Sequence, residues 1–481
     1  MIHFRFDDRI HITMRKTKIV CTLGPSCDDI SILKKIIKAG MNVARLNLSY
    51  GTYEEHEKRI QNLRRVSNEI AIIADLQGPR IRTGLLRDKE VNLKTGSTIT
   101  LTSENVEGHD SLIPIAPPSV ISDIKKGDMV LLANGMIRLK VVSKKQKKVE
   151  CLVLYGGIIG EHKGVNLPHT KLKLPSLTAK DKKDIDWAVK QGVDYIALSF
   201  VRKPADVLEI KRILRARKAN ILVIAKIEKA EAVQNLNEII KAADGVMVAR
   251  GDLGIEISLE KVPVIQKEII ELCRKLDKPV IVATQMLESM VTEPIPTRAE
   301  VSDVANAIFD GTDAVMLSEE TSIGNFPVES VQTMARVAEE ADKRIKFPSP
   351  DIHEDKNVDV AVAHTACVLA QVVRAAAIIT FTETGSTALR VSKHRPDVPI
   401  FGVVTNDKTL RRLSLFAGVH PLRISSFKYI DEMILNAEKA IIKCCHLNKG
   451  DLIVITAGVP ISIPGTTNLI KVHRIGERRT L

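Results

Sequence analysis

The chain has 481 residues, more than one hydrophobic core ordinarily supports, so two to four domains are expected. Hydrophobic residues at 44% are ordinary for a globular protein, aromatics at 3% leave the core to Ile, Val, Leu and Ala, and no apolar run reaches the ~18 residues of a membrane span. The formal charge of +13 admits nucleic acid or phosphorylated small molecules, but the lysines are dispersed and not interleaved with aromatics, which favours a solvated surface that attracts anionic substrates, with no nucleic-acid partner.

Residues 1–14 precede the patterned sequence and read as an N-terminal extension. The start MIHFRFDDRI lacks a signal-peptide core, and the seven scattered Cys form no CxxC pair; reduced thiols, a cytoplasmic location and no membrane association are expected. Three apolar strand-like runs follow, KIVCTLG, NVARLNLS and IAIIADLQG. After a long gap come YIALSF, ILVIAKIE, GVMVARGD, PVIVATQ and AVMLSEE, which makes eight. Amphipathic segments lie between them, such as the helix opened by Thr178 and Asp181 and running toward Gly192. Eight strands alternating with helices predict an α/β fold, a (β/α)8 barrel over 15–79 and 174–346, with a doubly wound sheet as the alternative. The gap, 80–173, changes to short β-like runs separated by Gly and Asn turns. It predicts a small inserted β-barrel, and its departure from the third strand end favours a lid over a mere decoration. From 347, after FPSPDIHED, helix 358–374, strands AAIITFT, VPIFGVV, DLIVIT and LIKVHRI, and helix 430–446 predict an open α/β domain with a regulatory role, running to 481.

Polar residues gather where the barrel strands end: Arg45, Asn47, Ser49, Asp75, Lys226, Glu228, Asp252, Thr284, Gln285 and Ser318. Lys226 and Glu228 are two apart and share a strand face, so a carboxylate able to hold a divalent cation meets a lysine able to face developing negative charge. An ordinary ion pair at a solvated strand end explains that motif equally well in isolation; its recurrence around the chain favours chemistry. In TETGSTA, the hydroxyls of Thr382, Thr384, Ser386 and Thr387 with Gly385 form either a phosphate cradle or a plain helix cap, and Glu383 disfavours a dianion there.

The runs ARLNLSYGTYEEH, DLQGPRIRTG, LPSLTAKDKKDI, AKIEKAEAVQNL, VARGDLGIEI, VATQMLESM, PTRAEVSDVANAI and DAVMLSEETSIGNFP, in that order, resemble pyruvate kinase. The resemblance implies transfer of the phosphoryl group of phosphoenolpyruvate to ADP, giving pyruvate and ATP, the last step of glycolysis. It implies Mg²⁺ or Mn²⁺ on Glu228 and Asp252, Lys226 against the phosphoryl group and enolate, and Arg45 and Arg82 on phosphate oxygens. Gly251 and Asp252 would receive the substrate carboxylate on backbone N–H groups, and Thr284 would deliver a proton through water, with Gln285 and Ser318 in support. Arg45, Asn47, Tyr50, Arg82 and Lys180 match nucleotide-binding positions. The family's potassium site maps to Asn47, Ser49, Asp75 and the carbonyl of Leu76. A homotetramer and a phosphorylated effector are further implications.

The sequence departs from the family pattern at Tyr50, Asn134 and Glu319, where His, Asp and Gly are usual. It departs again at Leu76 and Arg80, where potassium users carry Thr and Glu; a guanidinium can supply the charge that K⁺ supplies elsewhere, so K⁺ is not expected to be required. Two competing readings are a metal-dependent aldolase or lyase acting on an enolate precursor, and a basic phosphate-ligand sensor with a degenerate barrel.

Overall fold

The computed structural model describes residues 15–168, 170–345, 357–444, 447–460 and 466–477. The expected extension 1–14 and the break within 346–356 lie outside them. All eight expected barrel strands form: Lys18–Thr22, Val43–Asn47, Ala71–Asp75, Tyr195–Leu198, Leu222–Ile227, Gly245–Ala249, Val280–Ala283 and Ala314–Leu317. Each pairs in parallel with its neighbours, and the first closes on the eighth with Lys18 opposite Ala314. Helices alternate with them because their ends are written locally. Thr52 with Glu55, Thr178 with Asp181 and Thr297 with Glu300 each form a reciprocal capping box, and Gly192, at φ 65°, stops the helix Ala179–Gln191.

The insertion between the third and fourth barrel strands is all β apart from one short helix, Val120–Asp123. It forms a seven-stranded, partly closed sheet with a separate two-stranded ribbon, packed around its own core of Ile99, Leu101, Ile113, Leu139 and Val149. Gly78 starts the exit toward it at φ 68°, where an added Cβ would lie 2.8 Å from the Phe200 ring, so only glycine fits. Its N–H is held by Asp181 Oδ1 at 3.0 Å, which fastens this exit to the helix after the insertion.

The C-terminal unit is a five-stranded sheet with helices, including Val358–Val372 and Ile430–Cys444. Its edge strand Val419–Arg423 and the helix Asp407–Leu413 went unpredicted, because the strand carries His420 and Pro421 and shows no clean apolar run. This unit seals the N-terminal end of the barrel: Val20, Ile73, Tyr195, Met247, Ile281 and Met316 inside the barrel share one core with Leu413 and Phe416. Asp194 and Asp313, each just before a barrel strand, cap a backbone N–H of the adjacent strand at 2.9 Å and pair with Arg411 and with Lys393 and Arg395, respectively. The opposite, C-terminal end of the barrel is left for chemistry. No described helix is long and apolar enough to cross a membrane.

Candidate active site

The polar strand ends converge on Asp75, the buried last residue of the third strand. Its carboxylate accepts from Arg45 Nε at 2.7 Å and lies 3.3 Å from Lys226 Nζ. Lys226, from the fifth strand, also stands 2.8 Å from Glu228 Oε1 and donates to Ser199 Oγ at 2.8 Å; Ser199 in turn donates to the Leu76 carbonyl at 2.7 Å. Burial opposes the charge on Lys226, yet Asp75 and then Glu228 outweigh it and hold its pKa above the ordinary lysine value. Burial likewise opposes ionised Asp75, but Lys226 and Arg45 prevail and depress its pKa. Lysine and aspartate are therefore both charged across the neutral range.

Glu228 is in the opposite position. Burial pushes its pKa up, Lys226 offsets this only in part, and Asp252 adds like-charge repulsion. Its Oε2 accepts from the Phe200 N–H at 2.6 Å, whereas its buried Oε1 has no hydrogen-bond donor in proper geometry. Phe200 is held at φ 55°, a left-handed conformation costing about 1–3 kcal/mol that the Glu228 bond helps to enforce. Asp252 enters from the first turn of the helix Arg250–Glu256 and lines an open cleft between barrel and insertion, together with Arg80, Phe200 and Lys229. A buried carboxylate whose charge is opposed by desolvation and a second carboxylate close enough to repel it fit a divalent cation of hard, oxygen-ligand character. Among the described residues no group of three or more His, Cys, Asp or Glu is arranged to hold a metal ion by itself.

Thr284 and Gln285 leave the seventh strand at φ 69° and 54°, two successive non-glycine residues in the left-handed region. Arg250 holds this turn: Nη2 donates to the Thr284 carbonyl at 2.9 Å and to that of Gln285 at 3.1 Å, while Nη1 is fixed by Asp303 at 2.8 Å. The Thr284 hydroxyl donates to the Ala283 carbonyl and accepts from the Gly251 N–H at 2.8 Å. The Gly251 N–H is thus engaged by Thr284, and a carboxylate bound there displaces or shares that bond. Gln285 is exposed beside Gly251. The Ser318 Oγ is buried without a partner, and its N–H is held by Glu320. Glu319 itself is exposed, so its departure from the family pattern is carried by an outward side chain.

Other expected residues are placed apart from this cluster. Arg82 lies on the first strand of the insertion and bonds the His162 carbonyl at 2.8 Å. Lys180 donates to the Leu48 carbonyl and to Asp184, both at 2.7 Å, bracing the loop that follows Asn47 and holds Ser49 and an exposed Tyr50. Asn47 Oδ1 accepts from the Ser49 N–H, and Asp75 and Leu76 are engaged as described, so the potassium-site equivalents already have protein partners. Arg80 does not join them. It lines the cleft with Asp252, its guanidinium carbon 6.0 Å from the Phe200 ring centre, and no carboxylate among the described residues pairs with it.

The pyruvate kinase barrel-domain model matches residues 14–331, and the pyruvate kinase alpha/beta-domain model matches 360–473. The chain belongs to the pyruvate kinase family. Pyruvate kinases of Staphylococcus aureus strains MRSA252 and USA300 are each 45% identical over 478 residues, covering 96% of this chain and 81% of theirs. A pyruvate kinase crystal structure from Cryptosporidium parvum superposes with a TM-score of 0.92 at 38% identity, covering 96% of this chain and 97% of that one. As a pyruvate kinase family member the chain is a phosphotransferase of glycolysis that depends on a divalent metal, and the lyase and sensor readings fall away. Sequence reasoning missed Ser199, although it directly follows the fourth strand, and Glu320, which looks like any surface acid beside Glu319. It also missed Arg250, because a residue that holds carbonyl groups leaves no spacing pattern.

Proposed function

We propose that this chain transfers the phosphoryl group of phosphoenolpyruvate to ADP, giving pyruvate and ATP, at the Lys226, Glu228 and Asp252 cluster. The observation that carries this reading is a buried lysine, its pKa held above the ordinary lysine value, set between the carboxylates of Asp75 at 3.3 Å and Glu228 at 2.8 Å. Glu228 and Asp252 would hold Mg²⁺ or Mn²⁺, which when bound would supply Lewis-acid stabilisation of developing negative charge. Lys226 neutralises the phosphoryl oxygens and then the enolate, and Asp75 keeps its ammonium in place. Arg45 and Arg82 orient phosphate oxygens; Arg82 reaches them by movement of the insertion on whose first strand it lies. The Gly251 and Asp252 N–H groups take the substrate carboxylate. Thr284, whose hydroxyl is far too weak an acid to act alone, relays a proton from water, with Gln285 and Ser318 in support. Asn47, Tyr50 and Lys180 border the nucleotide. Barrel (15–79 and 174–346), lid (80–173) and C-terminal domain (347–481) divide these tasks, and K⁺ is not required.

The test is pyruvate and ATP formation from phosphoenolpyruvate, ADP and Mg²⁺. Turnover is expected only with ADP and metal both present. Mn²⁺ should raise the melting temperature of the unaltered protein and leave those of Glu228→Gln and Asp252→Asn unmoved; equal shifts in all three would place the metal elsewhere.

The C-terminal loop is a weaker cradle than its sequence suggests. Thr382 Oγ1 accepts from the Gly385 N–H, Thr387 bonds Thr467, and only Thr384 and Ser386 keep hydroxyls toward solvent, bonded to each other at 3.2 Å. With Glu383 in the loop, a sugar bisphosphate is less expected there than a monophosphate, a nucleotide or no effector at all. Titrating sugar monophosphates and bisphosphates against the substrate saturation curve checks this, and a stronger response to a bisphosphate would overturn it. Two separate sets of exposed apolar residues, Leu259 and Val264 on the barrel and Val358, Val368 and Val372 on one C-terminal helix, suit the two isologous interfaces of a homotetramer.

A further inference from the structure

Glu256, the last residue of the helix that presents Gly251 and Asp252, is 4% exposed although it is charged. A single carboxylate oxygen, Oε1, takes two donors. Lys229 Nζ reaches it at 2.6 Å from the residue directly after Glu228. Asn166 Nδ2 reaches it at 3.1 Å from the inserted β domain, on the short strand Val165–Asn166. Lys229 also lies 5.7 Å from the centre of the Phe200 ring, whose strained backbone is held by Glu228. One buried oxygen therefore joins three bodies: the helix of Asp252, the strand end of Lys226 and Glu228, and the insertion. The insertion is secured differently by Arg202, which donates to the Leu172 and Leu174 carbonyls at 2.8 and 2.7 Å where the chain returns to the barrel. That attachment is backbone to side chain at the hinge. The Asn166 bond is instead a side-chain to side-chain contact between insertion and barrel, which separation of the two has to break.

We propose that Glu256 is a positioning residue for the phosphoryl transfer: through Asn166 it latches the lid shut, and through Lys229 it ties lid closure to the placement of Glu228 and Asp252. This rests on the reaction proposed above. Glu256 touches no substrate in this scheme. Losing the Asn166 arm shifts the lid toward its open form, which weakens apparent substrate affinity by the closed fraction without altering chemistry in the closed complex. Losing the carboxylate also frees Lys229 and disturbs the metal-binding pair.

The experiment is a double-mutant cycle on the full chain. Asn166→Ala is expected to raise KM for ADP about tenfold, the size of one charge-assisted hydrogen bond, with kcat within about twofold and the melting temperature unchanged. Glu256→Ala is expected to raise KM similarly and also to lower kcat. The double variant is expected to have the KM of Glu256→Ala alone. Hydrogen exchange, read without substrate, should show faster exchange of the amides of 250–256 in Asn166→Ala and unchanged exchange in the C-terminal sheet. Multiplying KM effects, or an Asn166→Ala variant with unaltered KM and unaltered exchange at 250–256, overturns the latch. If the unaltered protein makes no pyruvate, the proposed reaction fails, while the exchange comparison still decides the latch on its own.

Discussion

Lys226→Met is expected to lower kcat by about 10³-fold, the loss found when an electrostatic stabiliser of the transition state is removed from a desolvated site. The substitution keeps an unbranched side chain one atom shorter and removes the ammonium with its charge and its hydrogen-bond donors. That charge is surrounded by acceptors: Asp75, Glu228 and Ser199 all lie within 3.3 Å of Nζ. The variant therefore has a structural cost as well, because Asp75 and Glu228 stay buried while losing their shared cation; breaking a buried pair costs about 3–5 kcal/mol. The pH dependence has a definite sign. Lys226 has a folded pKa above its unfolded 10.5, so its stabilising contribution is complete below pH 10.5 and is lost only as pH rises through the raised value. Asp75 has a folded pKa below 3.8, so its contribution is present above 3.8 and is lost as pH falls through the depressed value. In the unaltered protein neither group titrates between pH 5 and 9, and no limb of the pH–rate profile in that range should belong to them. Single-turnover formation of ATP together with a urea melt separates the two losses. A variant that melts normally and keeps its rate would remove Lys226 from the centre of the mechanism.

What could be read from the sequence follows the range of the interactions involved. A strand of the barrel is buried on both faces, so its apolar run is continuous, and all eight were visible. Residues at strand ends were visible because a charge after VIA or IIA has no reason to be there except chemistry or capping. Capping boxes span three residues and were equally plain at Thr178. The hidden parts are contacts between distant segments. Ser199 joins Lys226 to the Leu76 carbonyl, Arg250 reaches the Thr284 turn, and Asn166 finds Glu256 across 90 residues of chain. None of these has a period or a spacing. The same limit explains Arg80: its sequence position beside the potassium-site equivalents suggested a place among Asn47, Ser49 and Asp75, whereas the turn at Gly78 carries it to the Asp252 side of the cleft.

That placement sharpens the expectation about monovalent ions. Arg45 and Lys226 already share their charge with Asp75, and Lys226 with Glu228, so a further fixed cation at the cleft adds to what they and the divalent metal supply for an anionic substrate. Arg80 is the available one: its Nε is buried without a partner, and no described carboxylate neutralises it. A fixed guanidinium is always charged and needs no ion from solution, so the protein is expected to turn over without K⁺ at a rate within about twofold of that in KCl. Arg80→Leu removes the charge and keeps an apolar side chain against Phe200; its rate should fall about 10²-fold in K⁺-free buffer, as for loss of one preorganised cation. Arg80→Glu goes further by placing a third carboxylate near Asp252 and Glu228, and should be slower than Arg80→Leu until KCl is added, with KCl activating it more than any other form. The measurement is initial rate against KCl, with tetramethylammonium chloride holding ionic strength constant so that screening is the same in every arm. Manyfold activation of the unaltered chain by KCl would show that Arg80 does not stand in for the ion, and the charge balance of the cleft would then have to be drawn without it.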